Sequence, residues 1–168
     1  MKPIISIIMG STSDWPIMKK AANFFEEIEI PFEVNALSAH RTPSEVEEFA
    51  KNASSNGIKV IIAGAGMAAH LPGVLAALTP IPVIGVPIKA SLDGLDSLLA
   101  IVQMPPGIPV ATVAINGALN AGILASQIIA TGDKNMFQKT ISYKANLKNK
   151  IVKANEDLQQ EKFKFRTN

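Results

Sequence analysis

Cysteine is absent from this sequence of 168 residues, and histidine occurs only twice. The lack of cysteine excludes disulfides and thiolate chemistry. With two histidines and no cluster of Asp, Glu and His at ligand spacing, we expect no dedicated transition-metal site. Aromatic residues make up only 5% of the chain, although 48% of its residues are hydrophobic. Small and branched aliphatic residues therefore fill the interior, which is typical of a parallel sheet between helices.

Charge is scarce as well, and residues 97–132 contain no charged side chain. Prolines and glycines divide this run into pieces too short to cross a bilayer, so we expect no membrane partner. We expect its surplus apolar surface to lie in contacts between subunits. The apolar run at 4–9 is too short for the core of a signal peptide, which predicts a cytoplasmic protein.

The formal net charge of +2 conceals an asymmetry along the chain. Residues 1–132 hold 7 Lys/Arg and 10 Asp/Glu, a balance of −3, whereas residues 133–168 hold 9 and 4, a balance of +5. A basic tail can indicate a nucleic-acid partner. Here the lysines are spread along a helical pattern without an RNA-binding motif, so a solvated helix face is the favoured interpretation and no nucleic acid is expected.

Strands and helices alternate along the chain. Short apolar runs predict buried strands at 4–9, 32–37, 58–63, 82–86 and 109–115. Helices are predicted at 14–28, 43–56, 69–78, 96–104, 119–130 and from 133 onward. This alternation implies parallel pairing with right-handed crossovers, and hence a flavodoxin-like α/β fold: a three-layer αβα sandwich with a five-stranded parallel sheet.

By its length, the chain forms a single domain over residues 1–168, with 133–168 as a C-terminal helical extension. The extension has no strand to return to. Its apolar stripe is expected to pack on neighbouring subunits, and consists of Phe137, Ile141, Leu147, Ile151 and Leu158.

Polar or glycine-rich segments follow three of the predicted strands, at 10–14, 38–43 and 63–73. An open α/β sheet binds ligands at the carboxyl ends of its strands. An isolated His40-Arg41 pair would be an ordinary surface feature, but three such segments together predict a binding crevice.

The first segment offers backbone N–H groups at a helix start, with hydroxyls from Ser11 and Ser13, which suits an anion. Asp14 would repel a phosphate but suits the hydroxyls of a ribose. The alternative is a plain capping turn with Ser13 or Asp14 as the N-cap.

The segment at 63–73 has almost no side-chain bulk, so a ligand can lie against its backbone. Close packing between subunits is the alternative there. For His70 itself, a structural hydrogen bond at a helix start is the favoured interpretation.

Four motifs occur in this order: Met-Gly-Ser-x-Ser-Asp-Trp at 9–15, Ser-Ala-His-Arg-Thr-Pro at 38–43, Ala-Gly-Ala-Gly-x-Ala-Ala-His-Leu-Pro-Gly at 63–73 and Asp-Ser-Leu-Leu-x-Ile-Val-Gln-Met-Pro at 96–105. Together they resemble the class I N5-carboxyaminoimidazole ribonucleotide (N5-CAIR) mutases of bacterial purine biosynthesis. The resemblance implies isomerisation of N5-CAIR, a small nucleotide, to 4-carboxy-5-aminoimidazole ribonucleotide (CAIR). It also implies a homo-octamer that uses no metal and no organic cofactor.

The same resemblance implies that His40 is the catalytic acid and base. It implies a substrate-binding set, which comprises Ser11, Ser13, Asp14, Ser38, Arg41, Gly66, Met67, His70 and Leu71. Met67 departs from the pattern, because the family usually has glycine there, and the segments 89–94 and 116–120 look shorter than usual. These departures concern the edge of the pocket and its loops rather than the reaction.

The implied chemistry suits an imidazole, which both donates and accepts protons near neutral pH. Protonation of the carbamate nitrogen would release CO2, and the ring carbon C4 would then capture it and lose its proton. Trapping CO2 beside C4 replaces a bimolecular encounter with an oriented one. Arg41 would offer a positive fork for a carboxylate or phosphate.

Two alternatives stay open. A class II aminoimidazole ribonucleotide carboxylase would take free CO2, but that class typically has lysine in place of Arg41 and lacks both Pro43 and the His70-Leu71-Pro72 run. A non-catalytic flavodoxin-like nucleotide-binding module is the other alternative. Transient contact with the synthetase that makes the unstable substrate is a further expectation.

Overall fold

A single parallel sheet with helices on both faces organises the chain. The computed structural model describes residues 2–168. The strands are β1 Ile5–Met9, β2 Phe32–Ala36, β3 Val60–Gly66, β4 Val83–Ile88 and β5 Ala111–Thr112. The helices are α1 Trp15–Glu27, α2 Pro43–Asn52, α3 Leu71–Leu78, α4 Leu95–Val102, α5 Ala118–Ala130 and α6 Lys134–Gln160. Short 3-10 turns at Thr12–Asp14 and Leu92–Gly94 precede α1 and α4.

The strand order is β2-β1-β3-β4-β5, and every pair is parallel. This is the flavodoxin-like order, whose ligand sites lie at the switch point between β1 and β3. The register aligns Met9 with both Ala36 and Gly64. The loops that follow the first three strands therefore begin near one another at the same edge of the sheet. The predicted fold class is confirmed.

Two apolar cores lie on opposite faces of the sheet because successive strand residues point to opposite faces. On β3, Val60 and Ile62 join the core with α1, α5 and α6. Ile61, Ala63 and Ala65 join the core with α2, α3 and α4. Both layers of helices therefore pack against the strands whose ends carry the polar loops.

Gly64-Ala65-Gly66, predicted as loop, belongs to β3. The predicted strands ended at Ala63 in β3 and at Val86 in β4, but the pairing continues as far as Gly66 with Ile88. The strand tolerates glycine here because helix α1 approaches closely: a Cβ on Gly64 would lie 2.5 Å from the sulfur of Met18. The polar loop after β3 thus begins later than predicted.

The prediction for β5 was too long. Its ladder has two residues, in which Ala111 and Thr112 align with Ile84 and Gly85. Prolines crowd the preceding segment, at 105, 106 and 109, and proline cannot donate to a strand ladder. Smaller shifts occur at helix ends: α2 ends at Asn52 rather than near 56, α3 begins at Leu71 rather than 69, and α4 ends at Val102 rather than 104.

Helix α6 docks on its own domain, which corrects the expectation that it packs only on neighbouring subunits. Met136 and Tyr143 are buried, and the Tyr143 ring meets Phe24 of α1 edge to face at 4.9 Å. The ammonium of Lys139 donates to the carbonyls of Ile28 and Glu29 at 2.6 and 3.1 Å. All five residues of the predicted stripe are exposed.

The uncharged run at 97–132 is divided between the core and the surface. Ile101 and Ala125 are buried within the chain, whereas Leu99, Val102 and Leu119 are 40–53% exposed. No helix within residues 2–168 has both the length and the apolarity needed to span a bilayer.

Candidate active site

The loops at the carboxyl ends of β1, β2 and β3 enclose a cleft of about 430 Å³. All ten residues predicted for the site line it: Ser11, Ser13, Asp14, Ser38, His40, Arg41, Gly66, Met67, His70 and Leu71. Its volume falls in the range of ~300–1,000 Å³ that is usual for small-molecule sites. The prediction that these three loops form one crevice is confirmed.

The loop after β2 is closed by hydrogen bonds between Ser38 and Thr42. The Ser38 N–H donates to Thr42 Oγ1 at 2.8 Å, and the Thr42 N–H donates to the Ser38 carbonyl at 2.8 Å. The Ser38 hydroxyl oxygen in turn accepts from the N–H of Arg41 at 3.2 Å. These bonds fix the backbone on both sides of His40.

Arg41 joins the β2 loop to the β1 loop. Its Nη2 donates to the carbonyl of Gly10 at 2.6 Å, and its Nε donates to Ser38 Oγ at 3.4 Å. Part of the predicted positive fork is therefore used to hold the walls of the cleft together. The remaining N–H groups of the guanidinium keep its charge available to an anion.

The β1 loop is capped by Ser11, not by Ser13 or Asp14 as the capping alternative predicted. Ser11 Oγ accepts from the N–H of Ser13 at 3.3 Å and from its hydroxyl at 2.9 Å. Asp14 occupies the N-cap position of α1, but its side chain makes no capping bond. The Asp14 carboxylate accepts a long bond from the Ser13 hydroxyl, 3.5 Å to Oδ1, and its other oxygen is available to a ligand in the cleft.

Burial raises the pKa of the Asp14 carboxyl above its usual value, although the Ser13 hydroxyl and the charge of Arg41 act in the opposite direction. Desolvation disfavours the charged form of a carboxyl group. A ligand that donates hydrogen bonds to Asp14, as sugar hydroxyls do, would compensate this cost.

The two histidines meet inside the cleft. Nε2 of His40 lies 2.8 Å from Nδ1 of His70, and the rings are edge to face at 82°. One of the two nitrogens must carry a proton for this hydrogen bond to form, and the tautomer decides which. The structural hydrogen bond predicted for His70 is therefore made to the predicted catalytic residue itself.

A family model for AIR carboxylase matches residues 4–150. The chain belongs to the AIR carboxylase family. It is 55% identical over 159 residues to the N5-carboxyaminoimidazole ribonucleotide mutase of Thermotoga maritima, covering 94% of this chain and 93% of that protein. It is 51% identical over 161 residues to the enzyme of that name from Bacillus subtilis, covering 94% and 99%.

Longer relatives also match. Phosphoribosylaminoimidazole carboxylase of Candida glabrata is 62% identical over 129 residues, which are 76% of this chain and 23% of that protein. Among solved structures, the crystal structure of Treponema denticola PurE superposes with a TM-score of 0.83 at 28% identity, over 93% of this chain and 98% of that one. The sheet and helices described above are therefore the fold of the AIR carboxylase family.

The end of β3 and the loop after it form one wall of the cleft. A Cβ on Gly66 would approach the carbonyl of Ile88 to 3.2 Å, so even alanine would crowd this position. Met67 follows with φ of +56° and a side chain that is 59% exposed. It adopts a left-handed backbone, which glycine would accept with less strain.

Cleft residues that the sequence analysis did not single out include Gly10 and Ala90. Ala90 follows β4, so the strand-end rule could have found it had β4 been given its full length. Its segment is fixed by Asn116, whose Oδ1 accepts from the Lys89 N–H at 2.9 Å. The two segments that look short, 89–94 and 116–120, thus contact each other beside the cleft.

Proposed function

We propose that this member of the AIR carboxylase family isomerises N5-CAIR to CAIR in de novo purine biosynthesis, with His40 as general acid and base. The observation that carries the proposal is the composition of the cleft. Among the described residues that line it, only Asp14, His40, Arg41 and His70 are titratable. Imidazole is the side chain among these that exchanges protons readily near neutral pH.

The first chemical step would be proton transfer from His40 to the N5 nitrogen of the carbamate. The N–C bond then breaks, and its electron pair stays on the protonated nitrogen. The products are CO2 and aminoimidazole ribonucleotide. Ala65, Gly66 and Ala68 offer a wall without charge or bulk, against which CO2 can remain beside the ring.

The second step would form the new carbon–carbon bond. The nucleophilic C4 attacks CO2, which becomes the carboxylate of the product. His40, now the neutral base, removes the C4 proton and returns to its starting state. No proton is gained or lost over the cycle, which is what an isomerisation requires.

Substrate orientation would fall to the β1 and β2 loops. Ser11, Ser13 and the charge of Arg41 suit the phosphate or carboxylate of the nucleotide. Asp14, which makes no capping bond, suits the ribose hydroxyls. These roles agree with the volume of the cleft and with the presence of both the Arg41 and the Asp14 side chains in its lining.

Carboxylation of aminoimidazole ribonucleotide by free CO2 is the competing activity, since some relatives carry the name of a carboxylase. Arg41, Pro43 and the His70-Leu71-Pro72 run favour the mutase. The 51–55% identity to mutases over nearly the whole chain favours it too.

A labelling experiment distinguishes the two activities. N5-CAIR carrying ¹³C in its carboxylate is supplied in unlabelled bicarbonate, without ATP or added metal. The proposal expects CAIR that retains the label. Loss of the label to the bicarbonate pool, or CAIR formed only from aminoimidazole ribonucleotide and bicarbonate, would favour the carboxylase.

The proposal includes a homo-octamer. The exposed stripe on α6 and the exposed Leu99, Val102 and Leu119 supply apolar surface for subunit contacts. Transfer of the substrate from a synthetase belongs to the same proposal, because a carbamate is unstable in water.

A further inference from the structure

We infer that Thr42 is a positioning residue that sets the geometry of the His40 loop. The inference rests on the proposed function, because it assigns Thr42 a part in the proton transfers of His40. Thr42 does not line the cleft, so any effect it has on turnover must act through the loop.

The position of Thr42 is that of a helix cap. It precedes α2, and the run Thr42-Pro43-Ser44-Glu45 has the pattern of a capping box, in which the threonine hydroxyl accepts from a backbone N–H of the first turn. The structure shows otherwise: the Thr42 side chain makes no capping bond, and its backbone has φ −134° and ψ 55°.

The hydroxyl is turned back toward the preceding loop instead. Thr42 Oγ1 accepts from the Ser38 N–H at 2.8 Å and donates to the Ser38 carbonyl at 3.1 Å. The Thr42 N–H donates to the same carbonyl at 2.8 Å. One side chain therefore satisfies both backbone polar groups of Ser38, four residues earlier.

This closure determines where His40 and Arg41 lie. With Ser38 fixed, its hydroxyl oxygen accepts from both the backbone N–H and Nε of Arg41. His40 lies between these anchored residues, and its ring is placed 2.8 Å from His70. Threonine is favoured at this position because its hydroxyl normally caps the helix. Here the hydroxyl orders the loop that carries the proposed acid and base instead of capping α2.

The test compares two variants of the full-length protein. Thr42→Val keeps the shape of the side chain but removes the hydroxyl, so we expect kcat to fall about 5- to 50-fold while KM changes little. Thr42→Ser keeps the hydroxyl and should retain kcat within about 2-fold. Thr131→Val is the matched control, because the Thr131 hydroxyl donates to the Ile128 carbonyl at 2.7 Å on α5.

A ¹⁵N NMR measurement of the histidine side chains gives a readout that does not depend on turnover. Thr42→Val should perturb the hydrogen-bonded His40–His70 signals, and Thr42→Ser and Thr131→Val should leave them unchanged. If Thr42→Val fails to fold, Thr42→Ala carries the same expectation.

Unchanged kcat and unchanged histidine signals in the hydroxyl-deleted variant would overturn the inference, as would equal losses in the valine and serine variants. A wild-type protein without mutase activity would instead refute the proposed function, and the NMR comparison would still report whether Thr42 places the histidine pair.

Discussion

Nε2 of His40 and Nδ1 of His70 are 2.8 Å apart, although the two residues are 30 positions apart in sequence. The β1–β3 pairing and the β1–β2 pairing bring their loops to the same end of the sheet. A hydrogen bond between two imidazoles holds one proton between them. His70 can therefore fix which nitrogen of His40 carries a proton when substrate binds.

Removal of His70 is expected to slow the reaction without abolishing it. His70→Ala deletes the partner of His40 Nε2, and loss of one hydrogen bond is typically worth ~0.5–1.5 kcal/mol, or about 2- to 10-fold in kcat. Steady-state kinetics with N5-CAIR measure the effect. A loss as large as that of a His40 variant would mean that His70 transfers protons to the substrate itself.

Asp14→Asn is expected to stabilise the fold near neutral pH and to weaken substrate binding. Burial raises the pKa of the Asp14 carboxyl in the folded protein. As the pH rises, the carboxyl therefore ionises first in the unfolded chain. Above that pH the free energy of unfolding falls, because the folded protein disfavours the ionised carboxyl. The variant should unfold at a higher temperature than the wild type at pH 7.

The difference in unfolding temperature should shrink below the ordinary carboxyl pKa of about 3.9, where both states are protonated. Affinity for the nucleotide should fall by about 10-fold or more, since hydrogen bonds to a charged group contribute ~1.5–3 kcal/mol. Glu48→Gln on α2, an exposed site, is the control. A less stable Asp14→Asn protein at pH 7 would contradict the burial argument.

Met67→Gly is expected to raise stability. A left-handed backbone costs a non-glycine residue ~1–2 kcal/mol, and glycine recovers this at the expense of ~0.4–1 kcal/mol of unfolded-state entropy. The side chain is 59% exposed, so its loss removes little burial. We expect a gain of up to ~1 kcal/mol, which is a rise of about 2–4 °C in Tm for a domain of this size.

Met67→Ala is the matched control, because alanine keeps the backbone penalty while removing the side chain. It should show no gain. Thermal unfolding followed by circular dichroism measures both variants, and equal Tm values for the glycine and alanine variants would show that the φ of +56° stores no strain.

Sequence patterns predicted the sheet because its strands are short apolar runs between glycine or polar breaks. They failed where tertiary pairing decides the length of an element. Gly64 looked like loop but lies in β3, since neighbouring strands pair with it on both sides. The segment 109–115 looked like a full strand, but only Ala111 and Thr112 join the ladder.

The site was predictable to the extent that parallel strands bring their ends together. That rule, with the family motifs, identified ten of the fifteen residues that line the cleft. It could not show that Arg41 bonds to the Gly10 carbonyl or that Thr42 turns its hydroxyl away from α2. Such contacts depend on loop backbone angles, which local residue preferences do not determine.

The sequence pattern also did not predict which residues of α6 dock on the domain. Met136 and Tyr143 lie among lysines, whereas the apolar stripe was the more obvious contact surface. Two truncations separate the docked N-terminal part of α6 from its exposed C-terminal part. A chain ending at residue 146 keeps Met136 and Tyr143 but loses Leu147, Ile151 and Leu158. We expect it to fold and to fail to form an octamer.

A chain ending at Gly132 uncovers Phe24 and α5 as well, so it should be destabilised or aggregate. Light scattering and thermal unfolding measure the two effects. Obligate interfaces commonly bury roughly 2,000 Å² or more, so losing the three C-terminal residues of the stripe should break the assembly. An intact octamer of the chain ending at residue 146 would locate the subunit contacts elsewhere, with α4 the next candidate.

The most direct test of the account is turnover of N5-CAIR by His40→Asn, with nucleotide binding measured on the same preparation. Asparagine keeps a polar side chain of similar reach but cannot act as a base. The account predicts that kcat falls by ~10²–10⁴-fold or more, because one imidazole serves both proton transfers, while affinity and assembly stay near those of the wild type. Turnover within a few-fold of the wild type would contradict it.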